Sequence, residues 1–251
     1  MRNIHGILSV LLIAFSFGCY KESEYGNPLA DNAFTLVADK ATLPADSFST
    51  AKITVDLPGN AVDSSSKVIF KTSTGIFVES GTKTLTVTAT KNAGSTRIAE
   101  ALLRSGNKTE TATISVELFN LKKTIEVKFT NSFPDKLKLT ASSLSIKPLN
   151  SGAGEVNIDG FITKMQGFAS TGNIVDVTGY DEFFTKKLGS FRIYNNQSNE
   201  GGKTNYVFVL GDSVANSAPA AYLGILYLEG KVFKNTSNEY TRDTIKLISS
   251  R

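Results

Sequence analysis

The sequence predicts an all-β protein made of two β-sandwiches that follow a short N-terminal export signal. Segments of strand length alternate apolar and polar residues with a period of two, which places one face on a core and the other in water. β-Branched and aromatic residues are frequent in these segments, and Gly, Pro and Asn turn signals separate them. The 251 residues exceed one typical domain and suit two.

The first element is the apolar segment at residues 7–18, which follows a positively charged start. A membrane-spanning helix needs about 20 apolar residues. This segment is shorter and has the length of the apolar core of a cleavable signal. It ends directly before Cys19, the only cysteine of the chain. Exported proteins rarely keep a free cysteine, and here no second cysteine exists to form a disulfide.

The junction of Gly18 and Cys19 resembles the signal of bacterial lipoproteins, although Ser16 stands where that family usually has Leu. The resemblance implies that residues 1–18 are removed and that Cys19 receives a lipid such as palmitate. The chain would then bind a membrane through a lipid anchor at Cys19. An ordinary secretory signal followed by an incidental cysteine is the alternative.

Residues 19–32 are polar and show no periodicity, so we interpret them as a tether. Lys21 and Glu22 follow closely after Cys19 and resemble part of the Lys-acidic signal of Bacteroidetes lipoproteins that face the cell exterior. Ser23 interrupts the acidic part of that signal. The resemblance implies an outer-membrane lipoprotein displayed on the outer face.

Composition excludes several kinds of catalytic site. The only histidine, His5, lies in the predicted signal, and the chain has no tryptophan. The mature protein would therefore lack Ser-His-Asp and Cys-His catalysis, as well as zinc or haem held by His or Cys. We expect no cofactor, no metal and no enzymatic activity.

Carboxylate chemistry is not excluded by composition. Asp176 and Asp181 are candidates for a glycosidase pair, although nothing in the sequence sets their separation. Asp39, Asp46 and Asp63 are candidates for a calcium site, but calcium typically binds six or more oxygen atoms. A carboxylate hydrolase is the last of the functions we consider.

The net charge is +4, with 27 basic and 23 acidic residues interspersed along the chain. No Lys/Arg cluster interleaved with aromatic residues occurs, which argues against a nucleic-acid partner. We interpret Lys122 and Lys123 as a solvated strand edge, where lysine discourages pairing with another chain.

The first sandwich is predicted at residues 33–130. Its predicted strands are 34–38, 51–57, 67–71, 84–90, 97–104 and 111–118. The Leu-Pro-Ala-Asp turn at 43–46, the alternating strand at 49–55, and the Val-x-Phe-x-Thr strand at 68–72 before Gly75 resemble the bacterial immunoglobulin-like repeat of invasin and intimin. The chain departs from that repeat at Ser47, where the family usually has Gly.

This resemblance implies an immunoglobulin-like sandwich. Phe70 and Phe77 are by themselves predicted to lie in the core, because phenylalanine is usually buried. Pro44 would stiffen the corner between the first two strands, and Asp46 would cap the turn through backbone amides.

A second, immunoglobulin-like β-sandwich is predicted at residues 131–251. Its predicted strands are 156–163, 174–177, 191–194, 206–210 and 223–229, while 124–129 either closes the first sandwich or opens the second. Residues 195–202 are predicted to be a polar hairpin loop. The two halves are not similar enough in sequence to be identified as an internal repeat.

A patch in the second half is the candidate ligand-binding site: Tyr180, Asp181, Phe183 and Phe184. In a loop, its aromatic rings would stack on the apolar faces of sugars, while carboxylates bind hydroxyl groups. The frequency of buried phenylalanine favours the alternative that Phe183 and Phe184 are core residues. The lack of tryptophan also argues against a carbohydrate-binding module.

Two Asp-Ser/Thr-apolar triplets resemble the O-glycan acceptor of exported Bacteroidetes proteins, and they make Ser213 and Thr244 candidate acceptors. The whole sequence predicts a non-catalytic lipoprotein that displays immunoglobulin-like modules for adhesion, with a host or envelope protein, or a glycan, as partner. The alternative is an accessory lipoprotein that captures glycans or peptides for an outer-membrane uptake system. A periplasm-facing structural lipoprotein that binds the cell wall is a third function.

Overall fold

The computed structural model describes residues 34–58, 66–91, 96–147, 154–211 and 222–250. These residues form strands, turns and bends, and they contain no helix. The strands make four sheets, two in the N-terminal half (up to Thr130) and two in the C-terminal half (from Asn131). The predicted all-β class is therefore confirmed.

The N-terminal half contains ten of the described strands. They are β1 (Thr35–Ala38), β2 (Thr42–Pro44), β3 (Thr50–Pro58), β4 (Lys67–Thr72), β5 (Ile76–Phe77), β6 (Thr84–Thr88), β7 (Thr90–Lys91), β8 (Thr96–Arg104), β9 (Thr111–Leu118) and β10 (Leu121–Thr130). One sheet has the order β1-β3-β8-β5, with β7 also paired to β8. The other sheet has the order β2-β10-β9-β4-β6.

The two sheets of the N-terminal half share one core. Ile53 and Leu103 from the first sheet join Phe70 and Phe129 from the second in one cluster of buried side chains. Phe70 and Phe77, both predicted as core residues, pack edge to face with ring centroids 6.0 Å apart. Burial of each ring contributes about 1.5–3 kcal/mol to stability, so these contacts hold the two sheets together.

The C-terminal half contains eight of the described strands. They are β11 (Lys136–Ala141), β12 (Ser145–Ile146), β13 (Glu155–Thr163), β14 (Val175–Asp181), β15 (Ser190–Asn195), β16 (Lys203–Val209), β17 (Gly224–Phe233) and β18 (Tyr240–Ser249). They form the sheets β11-β13-β16-β15 and β12-β18-β17-β14, and side chains from both sheets make a second core cluster.

The two halves share a strand topology that their sequences do not reveal. In each half, the first strand pairs antiparallel with the third strand, as β1 does with β3 and β11 with β13. The chain then changes sheets, and a short strand pairs parallel with the last strand of the half, as β2 does with β10 and β12 with β18. Both halves therefore have the same plan, with different side chains in the core.

Several strands differ from the predicted ones. The predicted strand at 84–90 is interrupted at Ala89, because β6 pairs with β4 in one sheet and β7 pairs with β8 in the other. Strand β14 continues to Asp181, four residues beyond its predicted end at Val177. Strands β11 and β18 were not predicted, although their residues alternate between exposed and buried positions along much of each strand.

The corner after β2 is organised by the carboxylate of Asp46. It accepts hydrogen bonds from the amides of Phe48 (2.9 Å) and Ser49 (2.7 Å), and from the hydroxyls of Ser49 (2.7 Å) and Ser105 (3.1 Å). Burial alone would raise the pKa of Asp46, but these bonds, led by the Ser49 amide, lower it below its ordinary value. Ser47 has a φ of 55°, which explains why the resembling family prefers Gly at this position.

The two halves meet through backbone hydrogen bonds. The amide of Phe168 donates to the carbonyl of Asp46 (2.9 Å), and the amide of Thr171 donates to the carbonyl of Asn107 (2.8 Å). Gly167 has a φ of +74°, and a Cβ atom at this position would lie 2.7 Å from the Asp46 carbonyl oxygen. The close approach therefore requires glycine.

A buried polar network supports this junction on the side of the C-terminal half. The amide of Ser170 donates to the carbonyl of Ser132 (2.9 Å), and the side chain of Asn173 donates to the carbonyl of Ser170 (2.7 Å). The amide of Asn173 donates to the hydroxyl of Ser198 (3.1 Å), which itself donates to the carbonyl of Ser170 (3.2 Å). Buried polar groups that are paired in this way specify one geometry.

Candidate functional site

An aromatic loop lies at the end of the C-terminal half that is remote from the junction. Strand β14 begins at Val175, next to the junction network, and runs away from it to Asp181. Residues 182–189 then connect β14 to β15. The loop contains Phe183 and Phe184 of the predicted patch, whereas Tyr180 and Asp181 are the last residues of the strand.

Three aromatic rings are stacked at this end. The ring of Phe184 lies 5.0 Å from that of Tyr227, with 16° between their planes, and 5.5 Å from that of Tyr180. Tyr180 and Tyr227 are direct partners across β14 and β17. The sheet therefore supports Phe184 from below, and we call Tyr180, Phe183, Phe184 and Tyr227 the aromatic tip.

The carboxylate of Asp181 holds the loop in this shape. It accepts hydrogen bonds from the amides of Thr185 (2.7 Å) and Lys186 (3.1 Å) and from the hydroxyl of Thr185 (2.6 Å). The hydrogen bond from the Thr185 hydroxyl is the largest cause that lowers the pKa of Asp181 below its ordinary value. Asp181 therefore orders the loop, and both of its oxygen atoms are already in use.

Phe183 and Phe184 are surface residues, with 77% and 48% of their area exposed. The interpretation of these two residues as core is therefore wrong. Phe184 also has a φ of 56°, which a bulky side chain rarely adopts. Such strain persists only where surrounding contacts determine it, and it is frequent at functional sites. Here the contacts are the ring stack and the Asp181 hydrogen bonds.

Asp176 and Asp181 do not form a carboxylate pair. They lie five positions apart on β14, so their side chains point to opposite faces of the sheet. At about 3.3 Å per residue, their Cα atoms are about 16 Å apart, whereas paired glycosidase carboxylates are about 5–9.5 Å apart. This geometry removes the glycosidase mechanism that we considered for these two residues.

Two open clefts flank β14 in the described part of the protein. One, of about 240 Å³, lies at the edge between the two sheets and is lined by residues that include Asp176, Phe191 and Tyr206. Burial raises the pKa of Tyr206 to about 12, and its hydroxyl donates to the carbonyl of Val175 (2.5 Å). The other, of about 360 Å³, lies between the junction and the stacked rings of Phe233 and Tyr240. Neither cleft includes a residue of the aromatic tip.

The carboxylates proposed for calcium serve the backbone instead. Asp39 accepts a hydrogen bond from the amide of Lys52 (2.8 Å), and Asp46 caps its own corner. Asp63 lies outside the described residues. Within the described ranges, no three His, Cys, Asp or Glu side chains are placed to hold a metal ion. Helices that could cross a membrane are likewise absent from the described part of the chain.

The remaining predicted sites are only partly covered by the structure. Cys19 and Ser213 lie outside the described residues. Thr244 lies on β18, exposed and opposite Glu229 of β17. Its hydroxyl is accessible, and its use as a glycan acceptor remains a prediction.

Sequence reasoning missed two aromatic residues with special positions. Tyr227 completes the stack of the aromatic tip, and the alternation of buried Leu226 and Leu228 around it was the signal that its ring faces outward. Phe119 lies in the two-residue turn between Leu118 and Leu121 with a φ of 52°. In the sequence, only the short spacing between the two strands indicated that Phe119 lies in a turn and is exposed.

The sequence matches no protein-family model and no curated protein. Its fold resembles solved structures of bacterial adhesins with immunoglobulin-like domains. The adhesin InvE of Yersinia pseudotuberculosis is 14% identical with a TM-score of 0.53, over 85% of this chain and 58% of that one. Invasin, a bacterial integrin-binding protein, is 15% identical with a TM-score of 0.55, over 87% of this chain and 40% of that one.

This chain thus spans 58% and 40% of the lengths of those two proteins. At such low identity the likeness concerns the fold, and it agrees with the invasin-type resemblance of residues 33–118. The chain has the immunoglobulin-like all-β fold that these bacterial adhesins also have.

Proposed function

We propose that this chain is a membrane-anchored binding protein without catalytic activity, and that its aromatic tip adheres to a protein or glycan. The observation that carries this proposal is the ordered, exposed loop of Phe183 and Phe184. Exposed aromatic rings that are already held in place lose little conformational entropy on binding, and they dominate the energetics of many interfaces. The resemblance to adhesin folds supports the same function.

The tip lies at the end of the C-terminal half that faces away from the junction. Phe34, the first described residue of the N-terminal half, directly precedes β1, whose Thr35 pairs with Asp56 at the end of β3 that is remote from the junction. We propose that a lipid on Cys19 holds the protein in the outer membrane, with its two halves as immunoglobulin-like modules, at 33–130 and 131–251, on the cell exterior. This arrangement would present the tip away from the membrane.

Binding is tested with cells or extracellular-matrix proteins coated on a surface and with the purified full chain as the soluble partner. We expect the double variant Phe183→Ala/Phe184→Ala to bind at least about tenfold more weakly, as loss of central aromatic contacts does in other interfaces. Phe233→Ala is the matched control, because Phe233 is a partly exposed, stacked aromatic on the same sheet but outside the tip. If both variants bind equally well, the aromatic tip is not the binding surface.

Capture of a glycan for an uptake system is the second candidate function. It is favoured by the nearly parallel rings of Phe184 and Tyr227, because flat aromatic surfaces stack on sugar faces. A glycan array followed by calorimetry separates the two functions. Micromolar binding of one defined sugar, lost in Tyr180→Ala or Phe184→Ala, would support capture, whereas binding of cells without any sugar ligand would support adhesion.

The anchor and its location are tested together. Lipid labelling and external protease digestion of intact cells are compared for the wild-type protein and Cys19→Ala. We expect a labelled, cleavable wild-type protein and an unlabelled variant that is released from the membrane. A labelled but protected protein would indicate the periplasmic, cell-wall-binding function, and a wild-type protein without label would contradict the lipoprotein proposal.

A further inference from the structure

A phenylalanine occupies the tip of the hairpin between β9 and β10. Leu118 and Leu121 are the last paired residues, so Phe119 and Asn120 form a two-residue turn. Phe119 has a φ of 52° and is 75% exposed. The first position of such turns favours Gly, Asn or Asp, which adopt this conformation with little strain. Burial in the core does not account for a phenylalanine that is exposed and has a strained backbone. A contact between Phe119 and another molecule would account for such a residue at this position.

This hairpin lies at the end of the N-terminal half where the chain enters. Strand β10 runs from Leu121 at the hairpin to Thr130 at the junction, so Phe119 is remote from the junction. Phe34, the first described residue, lies at the same end, because its carbonyl accepts a hydrogen bond from Lys123 Nζ (2.7 Å). The hairpin and Phe34 therefore lie at the same end of the N-terminal half.

Basic side chains surround this end. Lys67 begins β4 and Lys122 is the second residue of β10, and both are exposed. Lys91 is also exposed and pairs with Arg97 at the corresponding end of the other sheet. The acidic residues described near this end are Asp56 and Glu117, and the Glu117 carboxylate already pairs with Lys71 (2.8 Å) and Lys122 (3.7 Å). Among the residues that the structure describes, basic side chains therefore outnumber acidic ones at this end.

We propose that this end of the protein rests on an anionic lipid surface, with Phe119 inserted at the headgroup level and Lys67 and Lys91 facing lipid phosphates. Aromatic rings favour the membrane interface, and lysines near the surface are attracted to anionic lipids. This inference rests on the proposed anchor at Cys19. Residue 34 follows Cys19 by 15 positions, so covalent geometry keeps it within about 50 Å of the lipid.

The bilayer is the partner that these observations favour. An anchored chain brings this end near the membrane at high effective concentration, so a single ring and a few lysines are sufficient for contact. The contact would also orient the two halves, and it would point the aromatic tip away from the membrane.

The test uses the full-length protein purified from membranes and placed in vesicles of phosphatidylcholine, with or without phosphatidylglycerol. Phe119→Cys is labelled with a polarity-sensitive fluorophore, and lipids with brominated acyl chains serve as quenchers. Phe183→Cys is the control, because it places the same probe on an exposed phenylalanine at the opposite end. The protein without an added cysteine reports on Cys19, which takes no label when it is acylated.

We expect a blue shift and several-fold quenching at position 119 in anionic vesicles, and neither at position 183. Lys67→Glu/Lys91→Glu and high salt should both reduce the quenching at 119. A probe at 119 that stays in water while the protein is acylated and vesicle-bound overturns this inference and leaves the anchor intact. Label on Cys19 of the unmodified protein overturns the anchor, and this inference with it.

Discussion

The amide nitrogen of Phe168 lies 2.9 Å from the carbonyl oxygen of Asp46, in a hydrogen bond that connects the two halves of the protein. The carboxylate of the same Asp46 organises the corner of the N-terminal half. A single residue thus takes part both in the fold of one half and in its contact with the other. The orientation of the two halves therefore depends on local backbone geometry around residues 46 and 167–168.

Gly167→Ala should weaken this contact. The substitution places a Cβ atom 2.7 Å from the Asp46 carbonyl oxygen in a residue with a φ of +74°. We expect the free energy of unfolding to fall by about 2–4 kcal/mol, from conformational strain and the clash together. Gly172→Ala is the control, because Gly172 has a φ of +85° but no atom within 4 Å of the new Cβ. Urea denaturation should show a loss of only about 1 kcal/mol for that variant.

Asp46→Asn should destabilise the protein at neutral pH by about 1–3 kcal/mol, because an amide accepts fewer of the hydrogen bonds that reach this position. The pKa of Asp46 in the folded protein lies below its ordinary value of 3.8. Its contribution is therefore complete above that value and is lost as the pH falls through the lower, folded-state pKa.

The difference between wild type and Asp46→Asn should accordingly shrink on acidification, as measured by thermal unfolding across a pH series. Glu100→Gln serves as the control, since Glu100 forms an exposed ion pair with Lys52 (3.0 Å). Exposed pairs contribute at most about 1 kcal/mol. A constant difference for Asp46→Asn at every pH would contradict the assigned hydrogen bonding.

Ser47→Gly should stabilise the protein. Ser47 has a φ of 55°, which costs a non-glycine residue about 1–2 kcal/mol. Glycine removes this strain, but its greater entropy in the unfolded chain destabilises the folded state by about 0.5–1 kcal/mol. The free energy of unfolding should therefore rise by up to about 1 kcal/mol. Ser47→Val should be destabilising, because a β-branched residue is a poor fit to this conformation. Equal melting temperatures for the Gly and Val variants would be inconsistent with the strained backbone.

Asp181→Ala should release the loop of the aromatic tip. The carboxylate accepts hydrogen bonds from the amides of Thr185 and Lys186. Hydrogen exchange of these two amides should therefore accelerate by at least about tenfold when the carboxylate is removed. Asp176→Ala on the same strand is the matched control, because the Asp176 side chain lies on the other face. If exchange at residues 185–186 is unchanged in Asp181→Ala, the loop is ordered by the ring stack alone.

The position of many strands could be predicted from the sequence alone. Alternation with a period of two predicted β3 and β9, since one face of each is buried and the other is in water. The strand β8 was predicted because Gly94 and Gly106 bracket a segment of strand length, although its residues also suit a helical turn. The polar loop at 195–202 was also recognised correctly as a hairpin between β15 and β16. The sequence did not predict β18, because Asp243-Thr244-Ile245 resembles a modification motif and so does not stand out as part of a strand.

The candidate site shows what sequence reasoning could not reach. Tyr180, Phe183 and Phe184 are neighbours in the chain and were selected together, but Tyr227 joins them only through the register of β14 on β17. The exposure of Phe184 likewise depends on its positive φ and on the Asp181 hydrogen bonds, which composition does not encode.

The residues by themselves determined the all-β class, the burial of Phe70 and Phe77, and the absence of histidine after residue 5, because these follow from local periodicity, residue type and composition. The tertiary structure alone decided the common topology of the two halves, the separation of Asp176 from Asp181, and the exposure of Phe119 and Phe183. These properties depend on which strands pair and in what register, and pairing between distant segments is set by the packing of the whole core.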